Sequence, residues 1–287
     1  DQLLRNWQLK IVRSFPLAAA LLLVATIMGL LANAAITADL TLGKIIASHE
    51  MLGAFAIDTR TGRFAIFRLA AGFPLLLVAV IFANSGAATA KHPAGALVFL
   101  LATAIAVSVP MSGHTAGYEE ALWLTPLHSA HVFFLCVWLG GLPGWIGLVR
   151  AVGQSPATER CSYTARTLRR FSHLAMFSML IIVSTGVVLA FWFVDTQGAL
   201  LGTPYGLLVC AKLVLLAAVL AIANHARLRL LPAMETLANA RDFYPLAVRW
   251  IKLELVLAAI ILGVGSALSQ ITPALHAQPY WWLPLRL

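Results

Sequence analysis

Apolar stretches follow one another along almost the whole chain, and polar residues gather in the short segments between them. A hydrocarbon layer about 30 Å thick takes about 20 residues of apolar helix to cross. On that measure the chain holds seven spans: Phe15–Ile36, Phe64–Asn84, Ala94–Ser112, Leu122–Val149, Phe171–Val194, Pro204–Ala223 and Trp250–Gln270. Spans in lipid must satisfy their own backbone groups, which predicts helices. The expected fold class is therefore all-α, a polytopic transmembrane bundle. The run Thr41–Ile57 is also apolar, but it carries Lys44, His49 and Glu50, which are costly in lipid. It reads as an external loop with an amphipathic helix; an eighth span is the alternative.

Composition agrees with lipid as the solvent. The 287 residues are 61% hydrophobic and 11% charged, against about a quarter charged in soluble domains. The net charge of +9 does not point to nucleic acid, because the basic residues form short clusters between apolar runs. Arg5, Lys10 and Arg13 precede the first span. Lys91 follows the second. Arg150, Arg160, Arg166, Arg169 and Arg170 separate the fourth and fifth. Arg227, Arg229, Arg241, Arg249 and Lys252 surround the loop between the sixth and seventh. With seven spans all four clusters fall on one side, the expected cytoplasmic side. Eight spans would strand the first cluster; Arg60 and Arg63 fall outside in either count. The expectation is a bacterial inner-membrane protein with its N-terminus cytoplasmic and its C-terminus periplasmic. Trp123, Trp192, Trp281 and Trp282 lie near the opposite boundary, where aromatic residues collect.

Two segments resemble each other. Thr59-Arg-Thr-Gly62 leads to Arg68-Leu69, and Thr203-Pro-Tyr-Gly206 leads to Lys212-Leu213. Both open a span that runs inward from the outside. A parallel internal repeat is expected, with spans one to three matching spans five to seven, and span four pairing with a helix before Asp1. The organisation is then a cytoplasmic segment 1–14, a three-span half with an outer loop at 15–112, and a four-span half with an outer tail at 113–287.

The chemistry available is mostly histidine. Cys136, Cys161 and Cys210 are far apart and form no CxxC or CxxCH, so neither a zinc knuckle nor a c-type haem is indicated. Met111-Ser-Gly-His114 leaves the third span. His128 and His131, three apart, share one face at the start of the fourth. Imidazole and thioether donors together suit copper, with Met favouring Cu(I). His49 and Met51 add a His-x-Met pair on the outer loop, and His276 lies in the tail. Hydrogen bonding to a neighbouring helix is the alternative for each membrane histidine, and a plain surface position for His49, Met51 and His276. Near the inner side, His173 and His225 sit on spans five and six. They permit a second idea, ligation of b-type haem, or else a place among headgroups. His92 precedes Pro93 at a helix start. Gly140-Gly141 suits close helix contact.

Lys212 and Glu254 are charged positions inside spans, and intramembrane charges default to a functional hypothesis. The span centres put them about 12 Å apart in depth, at 1.5 Å per residue, so a direct salt bridge is not expected. There is no nucleophile–base constellation, P-loop or HExxH, and an enzyme is not expected.

Several of these segments resemble the bacterial copper resistance D family. His131-Val-Phe-Phe-Leu-Cys-Val-Trp138-Leu-Gly-Gly141 is similar to that family's His-x6-Trp-x-Gly-Gly element, and Ser112-Gly-His114 to the Gly-His element before it. Arg170-Phe171-Ser172 with Ser184-Thr185-Gly186, Gly202-Thr-Pro-Tyr-Gly206 with Lys212-Leu213, and Glu254 follow in the family's order. The likeness covers most of the chain from about Thr59. It implies an inner-membrane protein, usually of eight spans, linked to copper resistance or uptake and often working beside a periplasmic copper-binding protein. It marks His114 and His131 as copper-handling candidates, and Lys212 and Glu254 as polar residues of unassigned role. His128 stands where an acidic residue is usual, and His173 and His225 where Arg is common. The expected function is copper handling at a periplasm-facing site of His114, His128, His131 and Met111. A b-type haem cytochrome, or a structural or assembly subunit of a larger membrane complex such as a copper oxidase, is the alternative.

Overall fold

The computed structural model describes residues 2–86, 92–113, 117, 119–152, 157–230, 232 and 240–276. Its helices, in chain order, are α1 (Gln2–Thr37), α2 (Leu42–Ala47), α3 (His49–Asp58), α4 (Arg60–Asn84), α5 (Pro93–Ser108), α6 (Ala121–Val152), α7 (Ala157–Val194), α8 (Gln197–Gly202), α9 (Pro204–His225) and α10 (Ala240–Leu268). Short 3₁₀ turns occupy Pro110–Ser112 and Ala274–His276, and a π-helical turn, Ala226–Leu230, continues α9. Among the described residues seven helices are long and apolar enough to cross a membrane, in the segments Arg5–Thr37, Arg60–Asn84, Pro93–Ser112, Ala121–Ala151, Thr164–Val194, Pro204–Arg229 and Val248–Leu268. These are the seven expected spans. The surface is apolar to match: Leu17, Phe73, Leu180, Phe191 and Val214 all point outward, as side chains facing lipid do.

The run after the first span does not form one amphipathic helix. It forms two, α2 and α3, broken at Ser48, where the backbone leaves the helical region (φ −99, ψ 80). The six residues of α2 and ten of α3 reach about 9 and 15 Å at 1.5 Å per residue, too short to cross. Lys44, His49 and Glu50 are exposed on them, while Ile45 and Phe55 pack with Ala34 and Ala35 at the end of α1.

The chain forms two compact units, Asp1–Phe133 and Phe134–Leu287. In the first, α1 packs on α4 and α4 on α5, around Ala19, Leu75 and Ile105. Small residues set the approach: a Cβ on Gly72 would stand 2.7 Å from the Leu23 side chain. α5 starts at His92, whose Nδ1 accepts from Ala94 N at 3.3 Å and whose ring stacks on Phe82. Pro93 then takes the first helical position, where a missing N–H costs nothing. In the second unit, α9 packs on α10 and α7, around Trp138, Leu142, Met179, Val219, Ala258 and Ile261. Gly141 lets α6 close on α7, because the ring of Phe171 lies where its Cβ would be, whereas Gly140 has nothing within 4 Å.

Each unit contains the same kind of junction. α1 and α7 both end before an aspartate in the left-handed region, Asp39 (φ 52) and Asp195 (φ 63), a conformation that Asp tolerates better than most side chains. A short helix follows, then a threonine, then the next long helix. Thr59 Oγ1 donates to Phe55 O (2.6 Å) and accepts from Gly62 N (2.9 Å). Thr203 Oγ1 donates to Ala199 O (2.6 Å) and accepts from Gly206 N (3.0 Å). One hydroxyl thus caps the short helix behind it and the long helix ahead of it, using backbone groups both leave unsatisfied. Each glycine lies against backbone of the short helix: a Cβ on Gly62 would stand 2.5 Å from Ala56 Cα, and one on Gly206 2.5 Å from Ala199 O.

Candidate functional site

α6 begins with Trp123 and Leu124 amides bonded to Glu120 O, which sets the phase of the next turns. Thr125, His128 and Ser129 then fall on one face, at spacings of three and four. His131 is 7% exposed and His128 half-buried, and their ring centroids lie 6.4 Å apart with planes at 61°. Ser129 Oγ donates to Val107 O at 3.0 Å, tying this turn of α6 to α5. Thr125 Oγ1 is buried one turn before His128 and has no hydrogen-bond partner among the described residues. A buried hydroxyl left so costs about 1–3 kcal/mol unless something fills the gap.

Met111 lies on the 3₁₀ turn that follows α5, and α4 holds that turn in place. Arg60 Nε donates to Met111 O (2.9 Å), Thr61 Oγ1 to Ser112 O (3.4 Å), and Arg68 Nη2 to Ser112 Oγ (3.2 Å). Arg60, which charge counting left on the outside, has this structural task. The sequence signal for it was its breach of the charge rule. Thr125 and Ser129 gave no such signal, because small polar residues are common in membrane helices.

The remaining candidates are dispersed. His114 lies outside the described residues. His49 and Met51 are exposed at the start of α3, and two helical positions apart they point about 200° away from each other. His276 is exposed. Among the described residues no three His, Cys, Asp or Glu side chains converge to hold a metal. In the second unit His173 and His225 are exposed, and His225 lies 5.2 Å from the Trp250 ring. Cys136 is exposed and Cys210 half-buried.

The two intramembrane charges do not meet. A Cβ on Gly265 would lie 4.0 Å from Lys212 Nζ, and Gly265 is eleven residues along α10 from Glu254, about 16 Å at 1.5 Å per residue. Glu254, 7% exposed, instead accepts a hydrogen bond from the Trp138 indole.

Comparison with known proteins finds a likeness over part of the chain. The sequence pattern of copper resistance protein D matches residues 165–268, which include Lys212 and Glu254 but not the His128–His131 turn. A copper resistance protein D from Pseudomonas syringae pv. tomato is 27% identical over 188 residues, 63% of this chain and 60% of that protein. The chain thus spans about 60% of the length of the curated relative it matches. No solved structure matches it. Most of α7 and all of α8, α9 and α10, with the glutamate that Trp138 engages, thus lie in the stretch of this multi-span membrane protein that is similar to copper resistance protein D.

Proposed function

We propose that the protein handles copper in the bacterial inner membrane, taking the ion from the periplasm and holding or passing it on, without catalysing a reaction. The observation that carries this reading is the His128–His131 pair: two imidazoles on one face of α6, one of them buried, beside an orphaned hydroxyl and near a methionine-bearing turn that two arginines anchor. Neutral nitrogen and thioether donors bind Cu(I) without adding anionic charge to a low-dielectric site. His114, three residues beyond Met111 in sequence, and Met111 itself are the further donors of this proposal. In the orientation that gathers the basic clusters in the cytoplasm, this site faces the periplasm, where a soluble copper-binding protein can deliver the ion.

The test is Cu(I) binding by the purified protein in detergent, with a competing chelator, together with an optical spectrum. Wild type is expected to bind Cu(I) at this site, and His128→Ala/His131→Ala to lose about one equivalent while the melting temperature holds. Unchanged copper content in that double variant overturns the site. A Soret band lost in His173→Ala or His225→Ala would favour a b-type haem protein instead.

A further inference from the structure

The two units match beyond their junctions. Arg13, Phe15, Ala19 and Asp39 each have the same residue type exactly 156 positions on, at Arg169, Phe171, Ala175 and Asp195. The bridging threonine, the close-packed glycine and the basic residue six positions later recur as well: Thr59, Gly62 and Arg68 against Thr203, Gly206 and Lys212. The shared frame extends to a cavity in each unit. Val12, Phe15 and Ala19 line the first, of about 540 Å³, and Leu168, Phe171 and Ala175, again 156 positions on, line the second, of about 210 Å³. The inner half of the following long helix closes both, through Leu75 and Ala79 in one and Val219 and Leu220 in the other.

The cavities differ in size and in contents. Apart from Gln8, the first cavity is lined by apolar side chains and Gly95. The second holds Met176, Met179, Glu254 and Trp138, with Arg227 at its edge. At the positions 156 before the two methionines stand Ala20 and Leu23, neither of which lines the first cavity. Met179 is buried, and Glu254 is a buried acid that accepts a hydrogen bond from the Trp138 indole. Lys212, lying beside Gly265, does not neutralise it. Met176 is half exposed, and Arg227 Nη1 donates to its Sδ at 2.7 Å, so a positive group already occupies one of the sulfur's two lone pairs. The π-helical turn Ala226–Leu230 puts Ala226 and Arg227 on the cavity wall, and π-helical turns are frequent at functional sites.

We infer that this cavity is a second site for a soft monovalent cation, with Met176 and Met179 as thioether donors and Glu254 as the counter-charge. Two thioethers select Cu(I) over harder ions, and one carboxylate balances a single positive charge inside the membrane. Arg227 holds the place of the cation when the site is empty and swings toward the headgroups when it fills, as long basic side chains at membrane boundaries do. The inference rests on the copper reading and deepens it: besides the His-rich site on α6, the chain holds a Met-rich one walled by α7 and α10.

Cu(I) titration of the detergent-purified protein, with Ag(I) as a second probe, decides it. Four forms are compared: wild type, His128→Ala/His131→Ala, Met176→Leu/Met179→Leu and Glu254→Gln. The Leu and Gln replacements keep volume, so the fold is expected to hold, and a melting curve checks that it does. Wild type is expected to bind about two equivalents, the methionine variant about one, and Glu254→Gln to weaken the same equivalent at least tenfold. If the methionine and glutamine variants bind as wild type does while the histidine variant loses copper, the second site is overturned and the first stands. If the histidine variant binds as wild type does while the methionine variant loses copper, the α6 site falls and this one stands. A wild-type protein that binds neither Cu(I) nor Ag(I) overturns both.

Discussion

Gly206→Ala isolates the junction that the two units share. Its Cβ would stand 2.5 Å from Ala199 O and 2.6 Å from Leu200 C, with Leu200 O nearer still. All three are backbone atoms, so no rotamer change relieves the contact. Either α8 moves off α9, or the Thr203 hydroxyl loses one of its bonds to Ala199 O and Gly206 N. Overpacking of this kind costs about 1–3 kcal/mol, and a lost capping bond adds about 1 kcal/mol. Against this, Ala gains up to about 1 kcal/mol over Gly as a helix former, leaving a net loss of about 1–3 kcal/mol. For a chain of this size each kcal/mol lowers the melting temperature by about 2–4 °C. The expected drop is thus roughly 2–12 °C, read by thermal unfolding in detergent. Gly140→Ala supplies the control, because nothing lies within 4 Å of its Cβ and the position is exposed on α6; there only the helix-forming gain remains, and stability is expected to hold or rise. Gly62→Ala should behave like Gly206→Ala. Equal melting temperatures for Gly206→Ala and Gly140→Ala would refute the account of why glycine stands at this place.

Three further outcomes follow from named contacts. Arg60→Ala releases the Met111 carbonyl from the side chain that holds its turn; copper is expected to bind more weakly at the α6 site, while the melting temperature shifts by less than about 3 °C, since a single exposed bond is worth about 1 kcal/mol. Ser129→Ala removes the bond to Val107 O and should cost about 0.5–1.5 kcal/mol, with His128→Ala in the same background showing non-additive loss of copper affinity in a double-mutant cycle. Arg227→Gln takes a positive charge off Met176 Sδ, and Cu(I) should bind the second cavity more tightly than in wild type; weaker binding there would mean that Arg227 helps to build the site rather than compete for it.

What could be read from the residues depended on the length scale of the force behind each feature. Spans are set by bilayer thickness, a requirement that every run of about 20 apolar residues answers alone, and all seven were legible. The Thr-x-x-Gly pattern at Thr59 and Thr203 was visible as a likeness, but its reason, a hydroxyl bridging two helices and a glycine pressed on backbone, needs the partner helix in place. The break at Ser48 depends on one residue's dihedrals, on which a hydrophobic pattern is silent. Lys212 and Glu254 were correctly kept apart by depth. Histidines were less tractable: His131 is buried, while His173 and His225 are exposed, and nothing in an apolar run says which face turns inward. The burial of Met179 was invisible for the same reason, since methionine in a span is ordinary filler.

Chemistry in this chain is laid on an apolar frame, and the frame limits where it can sit. A membrane helix gains nothing from burying leucine rather than exposing it to lipid, so packing depends on small residues and on exact backbone contacts such as those at Gly62, Gly72, Gly141 and Gly206. Positions on the cavity walls are then free to change, because an apolar residue there contributes little that lipid would not. That freedom accounts for a cavity lined by Val12, Phe15 and Ala19 beside alanine and leucine in one unit, and by Leu168, Phe171 and Ala175 beside two thioethers and a carboxylate in the other. A charge at Glu254 is tolerable only where a donor such as the Trp138 indole already points inward. The tryptophan on α6 and the acid on α10 are therefore coupled: Trp138→Phe removes the N–H and some buried volume, and its cost should be larger by about 1–3 kcal/mol when Glu254 is present than in a Glu254→Leu background, where only the volume loss remains, as melting temperatures of the four forms would show.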